Sequence, residues 1–312
     1  MSKILITGSS GMVGRNILES AQKPQNRYYK ILAPTRTEMD LLSPLSIQNF
    51  LQKNLPDCIV HCAGLVGGIA ANIAKPVEFL STNTYIGLNL INECTKIGIK
   101  KFVNLASSCM YPRNAPNPLK EEMILQGELE PTNEGYALSK ICATRLCEYI
   151  SKTHPSFSYK TLIPCNLYGK YDKFDPENAH MIPAVIAKIH YAKINHLSSV
   201  DIWGDGESRR EFMCVEDLAD FVFYALENFD TMPQNLNVGL GYDYTINEYY
   251  QTIAGVVGFS GGFCNDLSKP VGMKQKLIDT TKLRRFGWNA RIPLKEGIEK
   301  TYQYFLKEIA NG

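Results

Sequence analysis

Short apolar runs alternate with amphipathic stretches through the first half of the chain. The first run is Lys3–Thr7, and a helical pattern follows it directly through Ala21. Later runs at 29–34, 58–63, 101–106 and 160–164 predict further strands, and the stretch 77–97 predicts a long helix. The run at 58–63 is apolar on both faces, which is typical of a parallel strand covered by helices, and His61 within it is expected to be packed rather than catalytic. This order predicts an α/β fold with a Rossmann-type, doubly wound parallel sheet.

The strand–helix alternation weakens after about residue 170. Helical patterns follow at 180–191, 215–228, 245–257 and 293–310, with a short strand at 235–238. We therefore expect one domain over residues 1–168 and a smaller mixed α/β region over residues 169–312, which caps the cleft and returns some chain to the first domain.

The charges of the chain nearly cancel, with 33 basic and 31 acidic residues among 312. This balance argues against a nucleic-acid or membrane-surface role driven by bulk charge, and no apolar run reaches the length of a membrane span. The nine cysteines include no CxxC pair, which indicates reduced thiols rather than a disulfide framework or a metal site. A cytoplasmic protein without a bound metal is predicted.

A glycine-rich turn joins the first strand to the first helix. The sequence Gly8-Ser9-Ser10-Gly11-Met12-Val13-Gly14 follows the strand directly and opens the helical pattern. Glycines in this place allow a tight turn and let a pyrophosphate approach the N-terminus of the helix. A flexible turn is the alternative, but the position between the first strand and the first helix favours a dinucleotide site.

The end of the second strand indicates which dinucleotide binds. An acidic side chain there would bind the 2′-hydroxyl of NAD, whereas an arginine accommodates the 2′-phosphate of NADP. Arg36 stands at this strand end, and no acidic residue lies between the strand and Glu38. A solvated surface arginine is the alternative, and the sequence favours NADP(H).

Tyr136 and Lys140 are four residues apart in a helical stretch and therefore share one face of the helix. A lysine cation there favours the phenolate, so the spacing predicts a lowered pKa for Tyr136 and a proton donor for an alkoxide. Ser107 and Cys109 follow the strand at 101–106, and ligands of open α/β sheets bind beyond the carboxyl ends of strands. These residues are therefore predicted to lie where the chemistry of a ketone reductase takes place.

Several further stretches match, in order and along nearly the whole chain, the motifs of one enzyme family. They are Gly11-Met12-Val13-Gly14, Val66-Gly67-Gly68-Ile69, Ser107-Ser108-Cys109-Met110-Tyr111-Pro112, Glu130-Pro131-Thr132-Asn133-Glu134, Asn166-Leu167-Tyr168-Gly169, His180-Met181-Ile182-Pro183-Ala184 and Arg210-Glu211-Phe212. With the glycine loop and the Tyr136/Lys140 pair, they resemble an extended short-chain dehydrogenase/reductase. The closer resemblance is to the GDP-L-fucose synthase family, whose members are 3,5-epimerase-4-reductases of a GDP-4-ketosugar.

The resemblance implies NADPH-dependent reduction of the C4 ketone of a GDP-4-ketosugar, with epimerisation at C3 and C5. Ser107 would hydrogen-bond the C4 carbonyl, Tyr136 would protonate it, and Lys140 would hold the nicotinamide ribose. Cys109 and His180 match the base and the acid of the epimerisation, because a C4 ketone acidifies the neighbouring C–H bonds.

The resemblance also implies ligand contacts and an assembly. Lys188, Trp203 and Arg210 match positions that hold the GDP-sugar, and Arg209 is a further candidate for its diphosphate. Family members are usually homodimers, so a homodimer is expected. The predicted cofactor-binding residues are Gly8, Ser9, Ser10, Gly11, Met12, Val13, Gly14, Arg36, Leu105, Ala106, Lys140, Pro164, Asn166, Leu167 and His180.

Two positions depart from the family pattern. Ser10 stands where the family commonly has an arginine that helps to hold the 2′-phosphate, which leaves Arg36 as the main discriminator. Val271 replaces an aspartate expected near the nucleotide sugar, which leaves the exact sugar open.

Two other functions stay open from the sequence. The first is a C4-reductase without epimerase activity, acting on a related sugar such as a GDP-4-keto-heptose. The second is a non-catalytic NADP-sensing protein, against which the intact Ser107, Tyr136 and Lys140 count. A GDP-mannose dehydratase is disfavoured, because Ser107 is followed by Ser108 and Cys109 rather than by the Thr/Ser-Asp/Glu pair used for elimination.

Overall fold

The computed structural model describes residues 2–175, 179–268 and 272–311, so Val271 lies outside the described residues. The first half alternates strands and helices as predicted. Its elements are β1 Lys3–Thr7, α1 Met12–Ala21, β2 Lys30–Leu32, α2 Pro44–Asn54, β3 Cys58–His61, α3 Ile69–Ala74, α4 Pro76–Ile97, β4 Lys101–Leu105, α5 Glu134–Thr153 and β5 Ser158–Pro164.

The second half contains shorter strands between its helices. Its elements are β6 Asn166–Tyr168, α6 Met181–Ile194, β7 Ser199–Trp203, β8 Arg209–Arg210, β9 Phe212–Cys214, α7 Val215–Glu227, β10 Asn235–Val238, β11 Tyr244–Thr245, α8 Ile246–Val257, β12 Gly262–Asp266, β13 Gln275–Lys276, α9 Thr281–Arg285 and α10 Leu294–Asn311. Among the described residues, no helix is both long enough and apolar enough to cross a membrane.

Six strands form one parallel sheet in the order β10-β5-β4-β3-β1-β2. The chain runs outward from β1 to β2 and then returns to β3 on the other side of β1. The topological switch point therefore lies between β1 and β3, and ligands bind beyond the carboxyl ends of strands at such a point. The predicted doubly wound parallel sheet is confirmed.

The strands of this sheet are buried on both faces. In β1, Ile4 and Ile6 belong to one hydrophobic cluster, and Leu5 between them belongs to a second cluster on the opposite face. β3 repeats the alternation, with Val60 in the first cluster and Ile59 in the second. Successive strand residues point to opposite faces, so a continuous apolar run is what a doubly covered sheet requires.

A third hydrophobic cluster forms the core of the smaller region. It is built mainly from α6, α8 and α10, with Ile186, Ile253 and Ile298 fully buried in it. Two elements of the second half join the large sheet instead: β10 pairs with β5, and α7 packs against α1. The chain therefore returns to the large sheet after it has begun the capping region.

Three sequence predictions differ from the structure in detail. The helices α2 and α3 were not predicted. The second strand spans only Lys30–Leu32 rather than 29–34, and Pro34, which lacks a backbone N–H, follows it.

His61 is a packed strand residue, as the sequence predicted. It is 2% exposed, and its Nδ1 is hydrogen-bonded to the Thr7 hydroxyl at 2.8 Å.

Candidate active site

One large cavity lies between the sheet and the capping region. Its volume is about 1560 Å³, well above the roughly 300–1,000 Å³ of a pocket for one drug-sized ligand. It therefore has room for two ligands side by side. With the exception of Arg209, every residue that the sequence singled out for catalysis, cofactor binding or sugar binding lines this cavity.

The glycine loop forms one end of the cavity. Gly8 has a positive φ of 69°, and a Cβ there would lie 2.7 Å from the Ala63 backbone. A Cβ on Gly14 would lie 2.2 Å from the Gly8 carbonyl oxygen. Gly11 caps α1 without a side-chain hydrogen bond, so the first N–H groups of the helix are left to an external acceptor. This arrangement fits the pyrophosphate of a dinucleotide.

Arg36 lies at the rim of the same end. Its side chain is 78% exposed, and Nε is 3.8 Å from the Asp40 carboxylate, a contact that contributes little in water. Glu38, the first acidic residue after β2, is engaged in its own turn, where it accepts hydrogen bonds from the Thr35 N–H at 2.7 Å and the Thr35 hydroxyl at 2.9 Å. The Arg36 guanidinium is thus available to the 2′-phosphate of NADP, whereas the Glu38 carboxylate is hydrogen-bonded to Thr35 and is not positioned to bind a ribose hydroxyl.

Tyr136, Lys140 and Ser107 lie together where β4 ends. The Lys140 ammonium is buried and donates to the Leu105 carbonyl at 3.0 Å, 5.7 Å from the centroid of the Tyr136 ring. Ser107 follows β4 directly, and its hydroxyl hydrogen-bonds the Tyr136 phenol. These contacts join the end of a strand to the first turns of α5.

The pKa of Tyr136 is shifted in the direction opposite to the sequence prediction. Burial raises it, the neighbouring Cys109 thiol adds to the rise, and the hydrogen bond from Ser107 opposes it. Burial also lowers the pKa of Lys140 to about 8, so its ammonium still predominates at neutral pH. Desolvation sets the direction of the Tyr136 shift, and the phenol holds its proton firmly.

Cys109 lies on a short 3₁₀ turn after Ser107, with its N–H donating to the Ser107 hydroxyl at 3.2 Å. Its sulfur accepts hydrogen bonds from Asn133 Nδ2 at 3.3 Å and from Lys276 Nζ at 3.4 Å. His180 is the N-cap of α6, on the capping side of the same cavity. Burial lowers the pKa of His180, and the charges of Lys173 and Lys276 lower it further.

The predicted sugar-binding residues line the capping side. Lys188 on α6 is paired with Asp201 at 2.8 Å, and Trp203 ends β7 with half of its surface exposed. Arg210 lines the cavity, but Arg209 points the other way and pairs with Asp243 at 2.7 Å. Successive strand residues face opposite sides, so the two arginines cannot clamp one diphosphate together.

Sequence reasoning gave no role to Asn133 or Lys276. Asn133 belongs to a quoted motif, but nothing in that motif shows that its amide reaches a thiol. Lys276 reaches the site because β13 pairs in parallel with β8, with Lys276 beside Arg210 in register. No local pattern indicates a pairing across more than sixty residues.

The chain is similar to known proteins along nearly its whole length. Residues 4–239 match the family model described as the NAD dependent epimerase/dehydratase family. The chain is 56% identical over 309 residues to the GDP-L-colitose synthase of Yersinia pseudotuberculosis, covering 99% of each chain. It is 47% identical to the GDP-L-fucose synthase of Azorhizobium caulinodans, covering 97% of this chain and 96% of that one.

A solved structure extends the likeness to three dimensions. The GDP-mannoheptose C4 reductase of Campylobacter jejuni, with NADP bound, superposes with a TM-score of 0.88. It is 32% identical in sequence, and the match covers 98% of both chains.

Proposed function

Because the chain belongs to the NAD dependent epimerase/dehydratase family, we propose that it is an NADPH-dependent reductase of the C4 ketone of a GDP-4-ketosugar, and that it also epimerises C3 and C5. The observation that carries the proposal is the meeting of the glycine loop with Ser107, Tyr136 and Lys140 in one cavity large enough for two ligands. The relatives named as GDP-L-colitose synthase and GDP-L-fucose synthase, and the NADP-bound GDP-mannoheptose C4 reductase, support it.

The residues of this chain account for the proton side of the reduction. Bound NADPH supplies the hydride. The Ser107 hydroxyl donates to the C4 carbonyl oxygen and polarises it. The Tyr136 phenol, which is protonated at neutral pH, gives its proton to the same oxygen as the alkoxide forms. The Lys140 ammonium then stabilises the phenolate that remains and holds the ribose of the cofactor.

The same ketone supports the epimerase step. A C4 carbonyl acidifies the C–H bonds at C3 and C5, so a base can remove one proton and an acid can return another from the opposite face. Cys109, on the sheet side, and His180, on the capping side, are the proposed pair. Arg210, Lys188 and Trp203 are proposed to hold the GDP moiety, with Lys188 exchanging its contact to Asp201 for a phosphate.

Purified protein, NADPH and a panel of GDP-4-ketosugars test the proposal. Consumption of NADPH with a 4-hydroxy product identified by NMR would support it, and no turnover with any GDP-4-ketosugar would overturn it. Epimerisation is tested separately, with the ketosugar in D₂O and no NADPH. Deuterium should enter at C3 and C5 with the wild type and not with Cys109→Ala or His180→Ala.

A reductase without epimerase activity is the second candidate. The likeness to a GDP-mannoheptose C4 reductase favours it, because that protein is named for C4 reduction alone. Reduction of a GDP-4-keto-heptose without deuterium exchange on any accepted ketosugar would decide for this candidate.

We also propose that the enzyme is a homodimer. The helices α4 and α5 pack together and leave apolar side chains on their outer faces, among them Val77 at 72% exposure, Tyr85 at 58% and Tyr149 at 61%. Apolar side chains exposed along two neighbouring helices are typical of a contact with a second copy. Light scattering should give the mass of a dimer for the wild type and of a monomer for Val77→Glu. A monomeric wild type would contradict the proposal.

We further propose that the chain divides into a cofactor-binding domain over residues 1–168 and a substrate-binding region over residues 169–312, and that the protein is cytoplasmic. All nine cysteines are free thiols, which suits a reducing compartment. Cell fractionation tests the location.

A further inference from the structure

The sulfur of Cys109 lies between two N–H donors from distant parts of the chain. Asn133 Nδ2 is 3.3 Å away, at the start of α5, and Lys276 Nζ is 3.4 Å away, on β13. A neutral thiol is only a weak hydrogen-bond acceptor, whereas a thiolate is stabilised by an adjacent ammonium and by hydrogen bonds. The two donors therefore suit the anionic form of the sulfur.

The backbone holds Lys276 firmly in this position. β13 pairs with β8 on one side, and the next residue, Leu277, donates its N–H to Asn117 Oδ1 at 2.8 Å. Ile278 donates to the fully buried Glu211 carboxylate at 2.9 Å. Glu211 also accepts from two N–H groups that follow β10, so one carboxylate ties this strand to the large sheet.

Among the residues that the structure describes, Lys276 has no carboxylate partner that would compete with the sulfur. Within residues 2–175, 179–268 and 272–311, none of the ion pairs includes it. Its neighbour across the strands, Arg210, is a second cation that lines the same cavity. Among the described residues, the Cys109 sulfur is the hydrogen-bond acceptor of the Lys276 ammonium, and a negative charge on it would compensate that of the cation.

We propose that Lys276 and Asn133 are positioning residues for the epimerase step, which stabilise the thiolate of Cys109 while a proton moves between the sulfur and the sugar. The inference rests on the proposed function. When Cys109 is the base, the C–H bond at C3 or C5 breaks, the S–H bond forms, and the electron pair passes into the C4 enolate. When the proton returns from Cys109 to carbon, the thiolate is the product instead.

Lys276 therefore acts on proton exchange and not on hydride transfer. The thiolate is present before the proton transfer when Cys109 acts as the base, and after it when Cys109 acts as the acid. The reduction at C4 does not use the sulfur. Loss of the ammonium should slow the exchange about tenfold, as expected for about 1.4 kcal/mol of lost interaction at a partly exposed site.

The first test needs no substrate. Iodoacetamide alkylates thiolates, and peptide mass spectrometry can follow Cys109 separately from the exposed Cys142. Lys276→Met should slow alkylation of Cys109 about tenfold near pH 7 and leave Cys142 unchanged, and Lys276→Arg should restore most of the rate. Lys274→Met is the matched control, because Lys274 is exposed and lines a separate pocket. Equal alkylation rates in the wild type and Lys276→Met would overturn the inference.

The second test separates this inference from the proposed function. With saturating ketosugar, Lys276→Met should lower deuterium exchange at C3 and C5 about tenfold. With the already epimerised ketosugar as substrate, it should change C4 reduction by less than about twofold. Equal loss of both activities, or a raised KM alone, would mean that Lys276 binds the nucleotide sugar and would overturn the inference. A wild type that reduces ketosugars without exchanging deuterium would refute the epimerase proposal and this role with it, whatever the alkylation result.

Discussion

Replacing Tyr136 by phenylalanine removes one hydroxyl group from the cavity and leaves the aromatic ring in place. The ring packs edge to face against Phe79, with centroids 6.4 Å apart, and this contact survives the change. The hydroxyl is the proposed donor to the C4 oxygen, and burial keeps it protonated by raising its pKa. The substitution therefore tests proton donation with little change in packing.

The size of the effect follows from what remains in the site. A positioned general acid contributes about 10²–10⁴-fold to a rate, equal to about 2.7–5.4 kcal/mol. The Ser107 hydroxyl, which is proposed to polarise the ketone, is unchanged in this variant, so we expect a fall in kcat of at least ~10²-fold, near the lower end of this range. Binding of NADPH should be unchanged, because the hydroxyl serves the transition state rather than the ground state.

Tyr159→Phe is the matched control, because it removes a phenol from the core instead. The Tyr159 hydroxyl is fully buried on β5 and donates to the Ile99 carbonyl at 2.8 Å, away from the cavity. This variant should lose about 1–3 kcal/mol of stability in urea unfolding and keep its turnover. Tyr136→Phe should show the reverse pattern when NADPH consumption is followed at saturating substrate. Turnover of Tyr136→Phe within threefold of the wild type would refute the assignment of the acid.

Three further outcomes are expected. Arg36→Ala should raise the KM for NADPH roughly tenfold and leave that for NADH unchanged, because Arg36 is the proposed partner of the 2′-phosphate that distinguishes NADPH; equal use of both cofactors by the wild type would contradict this. Since the pKa of Lys140 is lowered to about 8, kcat/KM should fall above that pH, and Lys140→Arg should move the fall to higher pH. Burial lowers the pKa of His61 to about 3. Urea unfolding should therefore show full stability above about pH 6.5, lost toward pH 3 by up to about 1.4 kcal/mol per pH unit; a flat profile would argue against a neutral buried imidazole.

The sequence predicted those strands and helices whose residues show a clear apolar run or a clear helical period. The strands Lys3–Thr7 and Asn235–Val238 follow from short apolar runs, and the helical pattern predicted from His180 matches α6, which begins one residue later. The helix α2 was missed because it buries only Ile47 and Leu51, too few for a clear helical period. The cofactor end of the site is likewise local, since one glycine loop supplies most of it.

The sugar end depends on contacts that no local pattern contains. The dipeptide Gln275–Lys276 forms a strand only because β8 lies beside it, and this pairing brings an ammonium to Cys109. The direction in which the pKa of Tyr136 shifts could also be determined only from the structure. The four-residue spacing predicts the effect of a lysine charge, but it contains no measure of how deeply the phenol is buried.

The place of β10 in the large sheet has a consequence for the order in which the chain can fold during synthesis. β5 is complete at residue 164, but the strand that covers its outer edge begins at Asn235. A ribosome adding about 5–20 residues per second needs roughly 4–14 s to make the chain between them. Throughout that interval the nascent sheet ends in an uncovered strand containing Leu162 and Ile163, the kind of edge that pairs with other chains. Prompt translation of the capping region therefore protects the half of the protein that was made first.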